Sequence, residues 1–234
     1  MISPGMAKII SYLPKGLLER LCKKLIYGYV EKYADVQING MENLKDVKRP
    51  ILFICNHLSN SDALVINKFL KEEDITFVAG IKLSKNPLTN LGMSMTKTIP
   101  IRPNTADKDS ISKIVKTLKA GNNVLIFPEG TRSRTSTMIE AKRGVFLVQK
   151  LSKASIIPLG IHGTEKLLPV EKDMGSEKFN YAKVTLNIGK QIEVPQKMEN
   201  EDKHAYEERA VSFMMKKIAE LLPESYRGIY QLKC

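Results

Sequence analysis

Tryptophan is absent from this 234-residue chain, and aromatic residues together make up only 6% of it. Single-stranded nucleic-acid sites lean on aromatic platforms for base stacking, so this scarcity speaks against that class of partner. Cysteine is also scarce: Cys22, Cys55 and Cys234 are the whole set, scattered and odd in number. They do not stand at metal-ligand spacing, which indicates neither a disulfide framework nor a zinc site and fits a reducing cytosolic setting. Cys234 is the last residue rather than the fourth from last, so it is not a prenylation signal. Runs of about 18 uncharged apolar residues are missing, so no transmembrane helix is expected. The first residues carry no signal-peptide pattern, because their apolar stretches are short and interrupted by lysine. Internal repeats and low-complexity segments are lacking as well.

What is there suffices for a large core. Hydrophobic residues make up 43% of the chain and charged residues 26%. The formal charge of +12 favours an anionic partner: nucleic acid, anionic lipid or a phosphorylated small molecule. Charge alone does not choose among them.

Hydrophobic periodicity lays out the elements. Residues 1–35 read as two short amphipathic helices around Pro14. Leu17, Leu18, Leu21, Leu25 and Ile26 recur at helical spacing, with Arg20, Lys23 and Lys24 between them. Such a helix either lies in a membrane interface or packs on the domain with a solvated basic face. Residues 36–234 then alternate strands and helices. Strands are expected at 51–55, 75–79, 98–101, 124–127, 156–161 and 182–188, with 191–194 extending the sheet. Helices are expected at 61–71, 83–96 in part, 107–120, 144–150 and 202–222. Pro100 places the 98–101 strand at an edge or at a strand start. The pattern predicts one α/β domain with a mostly parallel or mixed central sheet flanked by helices, preceded by the short N-terminal amphipathic segment.

Two constellations carry chemistry. The first is Asn56-His57-Leu58-Ser59-Asn60-Ser61-Asp62, directly after the 51–55 strand. On one α-helix, five residues turn through about 500°, which leaves His57 and Asp62 roughly 140° apart. The pair works only if His57 sits in a turn and Asp62 in the first turn of the helix that follows. Asp62 would then orient the imidazole and stabilise its charged form while His57 acts as a base. The competing reading makes Ser59-x-x-Asp62 a helix start close to a capping box. The second constellation is Phe127-Pro128-Glu129-Gly130-Thr131-Arg132-Ser133-Arg134, a turn after the 124–127 strand. Gly130 can take a positive φ, and Arg132 could bind a phosphate with both arms. Glu129 would pair with Arg132 or accept a substrate hydroxyl. The plainer alternative is a surface turn stapled by its own Glu–Arg pair.

Together these segments resemble the glycerolipid acyltransferase family, whose simplest members are 1-acyl-sn-glycerol-3-phosphate acyltransferases. The Asn-His-x-x-x-x-Asp block stands at Asn56 to Asp62, with the frequently seen serine at Ser59. Phe-Pro-Glu-Gly-Thr-Arg-Ser stands unchanged at Phe127 to Ser133. Ile99-Pro100-Ile101-Arg102 resembles the second block, without its usual spacer before the arginine. Ile156-Ile157-Pro158-Leu159-Gly160-Ile161 resembles the fourth. The resemblance covers roughly residues 45–165. It implies an enzyme in which His57 is the general base and Asp62 its orienting group. Arg102, Thr131, Arg132 and Lys82 would bind the acceptor's phosphate, with Glu129 and Gly130 shaping the pocket. It implies no metal and no cofactor, with acyl-CoA or acyl carrier protein as the acyl donor and lysophosphatidic acid as the acceptor. The anionic face of a membrane is the expected partner, with peripheral attachment on the cytoplasmic side and no nucleic acid.

Other functions are weighed against this one. Cys55, two residues before His57, offers a thiol nucleophile, but its apolar strand makes it a packing residue. His162 ends a strand and could line the site, while His204 opens a polar helix and is expected to be solvated. A metal-dependent hydrolase using His57, Asp62 and Glu129 lacks a second well-placed histidine. A basic nucleic-acid-binding module has the charge alone in its favour.

Overall fold

The central strand β2 (Ile51–Cys55) is buried along its whole length, because apolar cover lies on both faces of the sheet. Alternate residues of β2 feed two separate cores. Leu52 and Ile54 join Ile114, Leu118, Phe146, Met214 and Ile218 on one face. Ile51, Phe53 and Cys55 join Val30, Val65 and Ile66 on the other. A run of five apolar residues is therefore needed where a one-sided sheet would need alternation.

The computed structural model describes residues 15–80, 96–102, 108–169 and 179–231. Within them a helix α1 (Lys15–Tyr33) leads into β1 (Ala34–Asn39), β2, α2 (Ser61–Phe69), β3 (Thr76–Gly80), β4 (Lys97–Ile101) and α3 (Lys108–Lys119). There follow β5 (Val124–Ile126), α4 (Gly144–Ser152), β6 (Ser155–His162), a single turn α5 (Thr164–Leu167), β7 (Ala182–Ile188) and α6 (Lys203–Ala219). The seven strands form one sheet in the order β1-β7-β6-β2-β5-β3-β4. Pairing is parallel throughout except between β6 and β7. The fold is thus a mixed-sheet α/β domain, as expected from the alternation of elements.

Helix α3 presents Ser110, Ile114, Val115 and Leu118 inward and its lysines outward. Helix α6 starts at Asp202, whose carboxylate accepts from the N–H groups of His204 and Ala205 and satisfies two otherwise unpaired donors. His204 is exposed beside Arg143. Pro100 lies on β4, an edge strand, where its missing N–H costs no ladder bond.

Two expectations are revised, and one open alternative gains a contact. β1 is an additional strand, concealed by Asp35, Gln37 and Asn39 on its exposed side. It follows α1 without a break, so the boundary placed after residue 35 falls inside it. Residues 191–194 contribute only an isolated bridge between Ile192 and Ile156. The basic helix packs on the domain through Ile26 and Val30, while Leu25 stays exposed. The expected helical stretch at 83–96 and the helix before Pro14 lie outside the described residues, apart from residue 96.

Candidate active site

The chain leaves β2 toward β3 through α2, which packs on one face of the sheet. It leaves β5 toward β6 through α4, which packs on the other. The two connections therefore leave the neighbouring strands β2 and β5 on opposite faces of the sheet, each passing over the other strand. In open α/β sheets ligands bind beyond the carboxyl ends of the strands. His57 follows β2 at that edge and Glu129 follows β5. Arg102 follows β4, two strands beyond β5 in the same parallel set, about 14 Å from β2 at ordinary strand spacing.

Asp62 sits in the first turn of α2 and is fully buried. Its Oδ2 lies 2.7 Å from His57 Nδ1 and accepts from the N–H groups of Leu58 at 2.7 Å and Ser59 at 2.9 Å. An oxygen that already accepts two backbone donors is an acceptor for the ring as well. Nδ1 therefore carries the proton, and Nε2 is left as the basic nitrogen. The two readings of Asp62 turn out to be one: a single oxygen closes the turn before the helix and orients the imidazole. Oδ1 is buried with no hydrogen-bond partner among the described residues.

The ring is held on its face too. Phe127 stacks on His57 with centroids 4.0 Å apart and planes 14° from parallel. The turn itself is fastened to its neighbours. Ser59 Oγ donates to the Leu168 carbonyl at 2.7 Å, and Ser61 Oγ donates to the Thr164 carbonyl at 3.3 Å. Asn56 reaches across to β6, where its amide accepts from Ile161 N–H at 2.9 Å and donates to Ile161 C=O at 2.8 Å. That side chain acts as one further rung of the sheet, buried and doubly satisfied. Its motif position was evident in the sequence but its role was not.

Glu129 is fully buried. Its Oε1 accepts from His57 N–H at 3.1 Å and its Oε2 from Ile139 N–H at 3.4 Å. The carboxyl is thus engaged by backbone rather than by Arg132, which revises the expected Glu–Arg staple. Burial pushes its pKa up to about 8, against the two backbone bonds and with a smaller contribution from the Asp62 charge. Gly130 closes the turn, donating to the Phe127 carbonyl at 3.0 Å with φ of 69°. A side chain there would be strained in that left-handed conformation. Thr131 and Arg134 are exposed and Arg132 is half-buried on the same turn. Arg102 is exposed at the end of β4. Lys82 lies outside the described residues.

Cys55 is fully buried, and burial raises its thiol well above the usual range, with Asp62 and Glu129 adding to the effect. That environment disfavours the thiolate a nucleophile needs. His162 ends β6 half-buried against Tyr226, and burial lowers its pKa. Among the described residues, no group of three His, Cys, Asp or Glu side chains is placed to hold a metal ion.

The family model named Acyltransferase matches residues 35–162, more than half of the chain. The chain belongs to the acyltransferase family. Among curated relatives it is 29% identical over 163 residues to the chloroplastic 1-acyl-sn-glycerol-3-phosphate acyltransferase LPAT1 of Arabidopsis thaliana, covering 68% of this chain and 44% of that protein. It is 24% identical over 173 residues to the 1-acyl-sn-glycerol-3-phosphate acyltransferase of Bacillus subtilis, covering 74% and 81%. The chain thus spans a little under half of the plant relative and most of the bacterial one. Its fold is similar to that of the 1-acyl-sn-glycerophosphate acyltransferase PlsC from Thermotoga maritima. The TM-score is 0.62 at 21% identity, over 88% of this chain and 81% of that one. The acyltransferase match ends at His162, so β7, α6 and the segments after it lie outside it.

Proposed function

We propose that this acyltransferase moves a fatty acyl group from a thioester, acyl-CoA or acyl carrier protein, to the sn-2 hydroxyl of 1-acyl-glycerol-3-phosphate. The products are phosphatidic acid and a free thiol. The observation that carries the reading is the contact between His57 Nδ1 and Asp62 Oδ2. With Nδ1–H held by Asp62 at 2.7 Å, Nε2 can accept the hydroxyl proton as the oxygen attacks the thioester carbonyl. The tetrahedral intermediate then collapses, the carbon–sulfur bond breaks, and Nε2–H returns its proton to the leaving thiolate. Asp62 stabilises the imidazolium that exists between the two transfers.

The turn at Glu129–Arg132 supplies the other half. Arg132, Thr131 and Arg102 receive the acceptor's phosphate, a group that a guanidinium binds with paired donors. Glu129 and Gly130 shape the turn that presents them. The relatives' names support lysophosphatidic acid as the acceptor.

A lipid acceptor calls for a membrane-facing surface, and we assign one beside the mouth of the site. β1 is parallel to β7 and β7 antiparallel to β6. Ala34 and Ala182 therefore lie at the same sheet edge as the carboxyl ends of β2 and β6. Tyr29, Tyr33 and Phe179 stack there and Tyr181 tilts against Tyr33, with Tyr29 46% and Tyr181 75% exposed. Lys32 lies 5.1 Å over the Tyr33 ring, and Lys23 and Lys24 are exposed on the same helix. Amphipathic rings with neighbouring lysines suit the headgroup layer of an anionic bilayer. No described helix is long and apolar enough to cross a membrane.

The test is transfer by purified protein from radiolabelled oleoyl-CoA and from an acyl carrier protein thioester. The acceptors are lysophosphatidic acid, glycerol-3-phosphate and uncharged lysolipids. Lysophosphatidic acid should be the preferred acceptor. Absence of transfer to every acceptor with both donors would sink the assignment. Sedimentation with anionic vesicles tests the surface, and Tyr29→Ser with Tyr181→Ser should weaken it.

A further inference from the structure

Residues 138–142 run between the catalytic turns and a short segment that follows α6. Their backbone N–H groups divide between the two sides. Ile139 donates to Glu129 Oε2 at 3.4 Å and Lys142 to the Pro128 carbonyl at 2.8 Å. Met138 donates to the Tyr226 carbonyl at 2.8 Å and Ala141 to Tyr230 Oη at 3.2 Å. The turn that precedes this stretch is itself tied to the histidine, because Ser133 N–H donates to the His57 carbonyl at 2.8 Å.

The segment beyond α6 is itself well anchored. Arg227 Nε donates to the Ala219 and Leu222 carbonyls at 3.1 and 3.0 Å. Tyr226 Oη donates to Glu165 Oε1 at 2.8 Å, and Glu165 Oε2 accepts from Gly163 N–H at 2.9 Å. Tyr230 is buried in the core beside α6. Gly228, with φ of 54°, lies so close to the 138–142 stretch that a Cβ there would sit 2.0 Å from the Met138 carbonyl oxygen. Both its conformation and its contact demand glycine.

We propose that residues 226–230 form a strap that sets the position of the catalytic turns, with Tyr230 and Gly228 as positioning residues for acyl transfer. The strap fixes Met138 and Ala141. That fixes the Ile139 N–H, which holds one oxygen of Glu129 while the other holds the His57 backbone at 3.1 Å. Neither strap residue touches the imidazole. Their action passes through two backbone segments and one buried carboxyl. The strap lies beyond the residues that carry the family match, 35–162, so its role is read from these contacts alone. The proposal rests on His57 being the base.

The test compares Tyr230→Phe with a matched core variant. Tyr230→Phe removes only the oxygen that accepts from Ala141 and keeps the ring. Met215→Ala in α6 opens the same core without removing any hydrogen bond made by residues 138–142 and serves as the comparator for lost stability. With a water-soluble short-chain lysophosphatidate well below the melting temperature, Tyr230→Phe should lower kcat roughly fivefold to tenfold, the scale of one lost hydrogen bond. KM should stay within about twofold of wild type, since a positioning change falls on the transition state. The His57 imidazole NMR signals should shift in Tyr230→Phe and stay in place in Met215→Ala. Wild-type kcat in Tyr230→Phe, a loss no larger than the comparator's, or unmoved His57 signals would each overturn the proposal. If wild-type protein transfers no acyl group at all, the functional reading fails, and the NMR comparison still decides whether the strap positions His57.

Discussion

His57 and Glu129 are joined through the backbone of one and the side chain of the other, His57 N–H donating to Glu129 Oε1 at 3.1 Å. The bond joins the carboxyl ends of the neighbouring strands β2 and β5 and pins the histidine's main chain, while Asp62 pins its ring. The imidazole is therefore located by one buried carboxyl and oriented by another. The following outcomes depend on that division of labour.

Replacing His57 by alanine should remove the base and leave the fold. Its backbone bonds to Glu129 and Ser133 do not need the ring. Transfer should fall by about two to four orders of magnitude, the usual scale of a general base. The melting curve should change little. A radiolabelled acyl-transfer assay showing more than a few percent of wild-type kcat would count against the base role.

Asp62→Asn should be nearly as damaging as loss of the base. The amide no longer enforces proton placement on Nδ1, so Nε2 is protonated in part of the molecules. A loss of about a thousandfold or more in kcat, with KM near wild type, is expected by analogy with other histidine–carboxylate pairs. Because Oδ2 also accepts from Leu58 and Ser59, Asp62→Ala should additionally lower stability by about 1 kcal/mol or more. Denaturant titration beside the kinetics separates the two effects.

Glu129 makes a pH prediction with a definite sign. Its pKa stands at about 8 in the folded protein against an ordinary 4.5. Between those values the folded chain keeps a proton that the unfolded chain releases. The associated stability is fully present below about 4.5 and is lost as pH rises through about 8. Glu129→Gln cannot lose that proton. The stability of wild type relative to this variant should therefore decline from pH 4.5 to pH 8 and level off above it. Parallel melts across pH read this difference directly, and a flat difference would refute it.

Asn56→Ala should act on stability first. It strips partners from both the N–H and the C=O of Ile161 in a fully buried position. Two unsatisfied backbone groups cost about 2–4 kcal/mol together, which for a chain of this size lowers Tm by roughly 5–15 °C. Calorimetry checks this, and a shift under about 2 °C would show that the amide is not the rung it looks to be.

Arg132→Ala should raise the KM for the phosphorylated acceptor by about tenfold or more while changing that for the thioester donor little. Equal changes for both substrates would move Arg132 away from the phosphate. Arg102→Ala, tested alongside, should show the same direction.

Much of this was legible from local pattern. The buried strand at 51–55 announced itself as a continuous apolar run, and α3 as a 3.6-residue period, because both signals arise from side chains within one element. Strand β1 escaped notice because half of its residues are solvent-facing polar groups on an edge. The amphipathic N-terminal helix was visible, yet which of Leu25 and Ile26 is buried depends on what packs against it.

By itself the sequence determined most of the strands and helices, the two turns that carry His57 and Glu129, and the requirement that His57 lie outside the helix that carries Asp62. Those follow from periodicity and from the angular step of a helix, which are properties of the chain alone. The tertiary structure decided which groups those turns meet. Glu129 faces the His57 backbone rather than Arg132, Asn56 completes a rung on β6, and residues 226–230 clasp the stretch that supports them. Each is a contact between residues far apart in the chain, set by strand order and burial, and no local spacing encodes it.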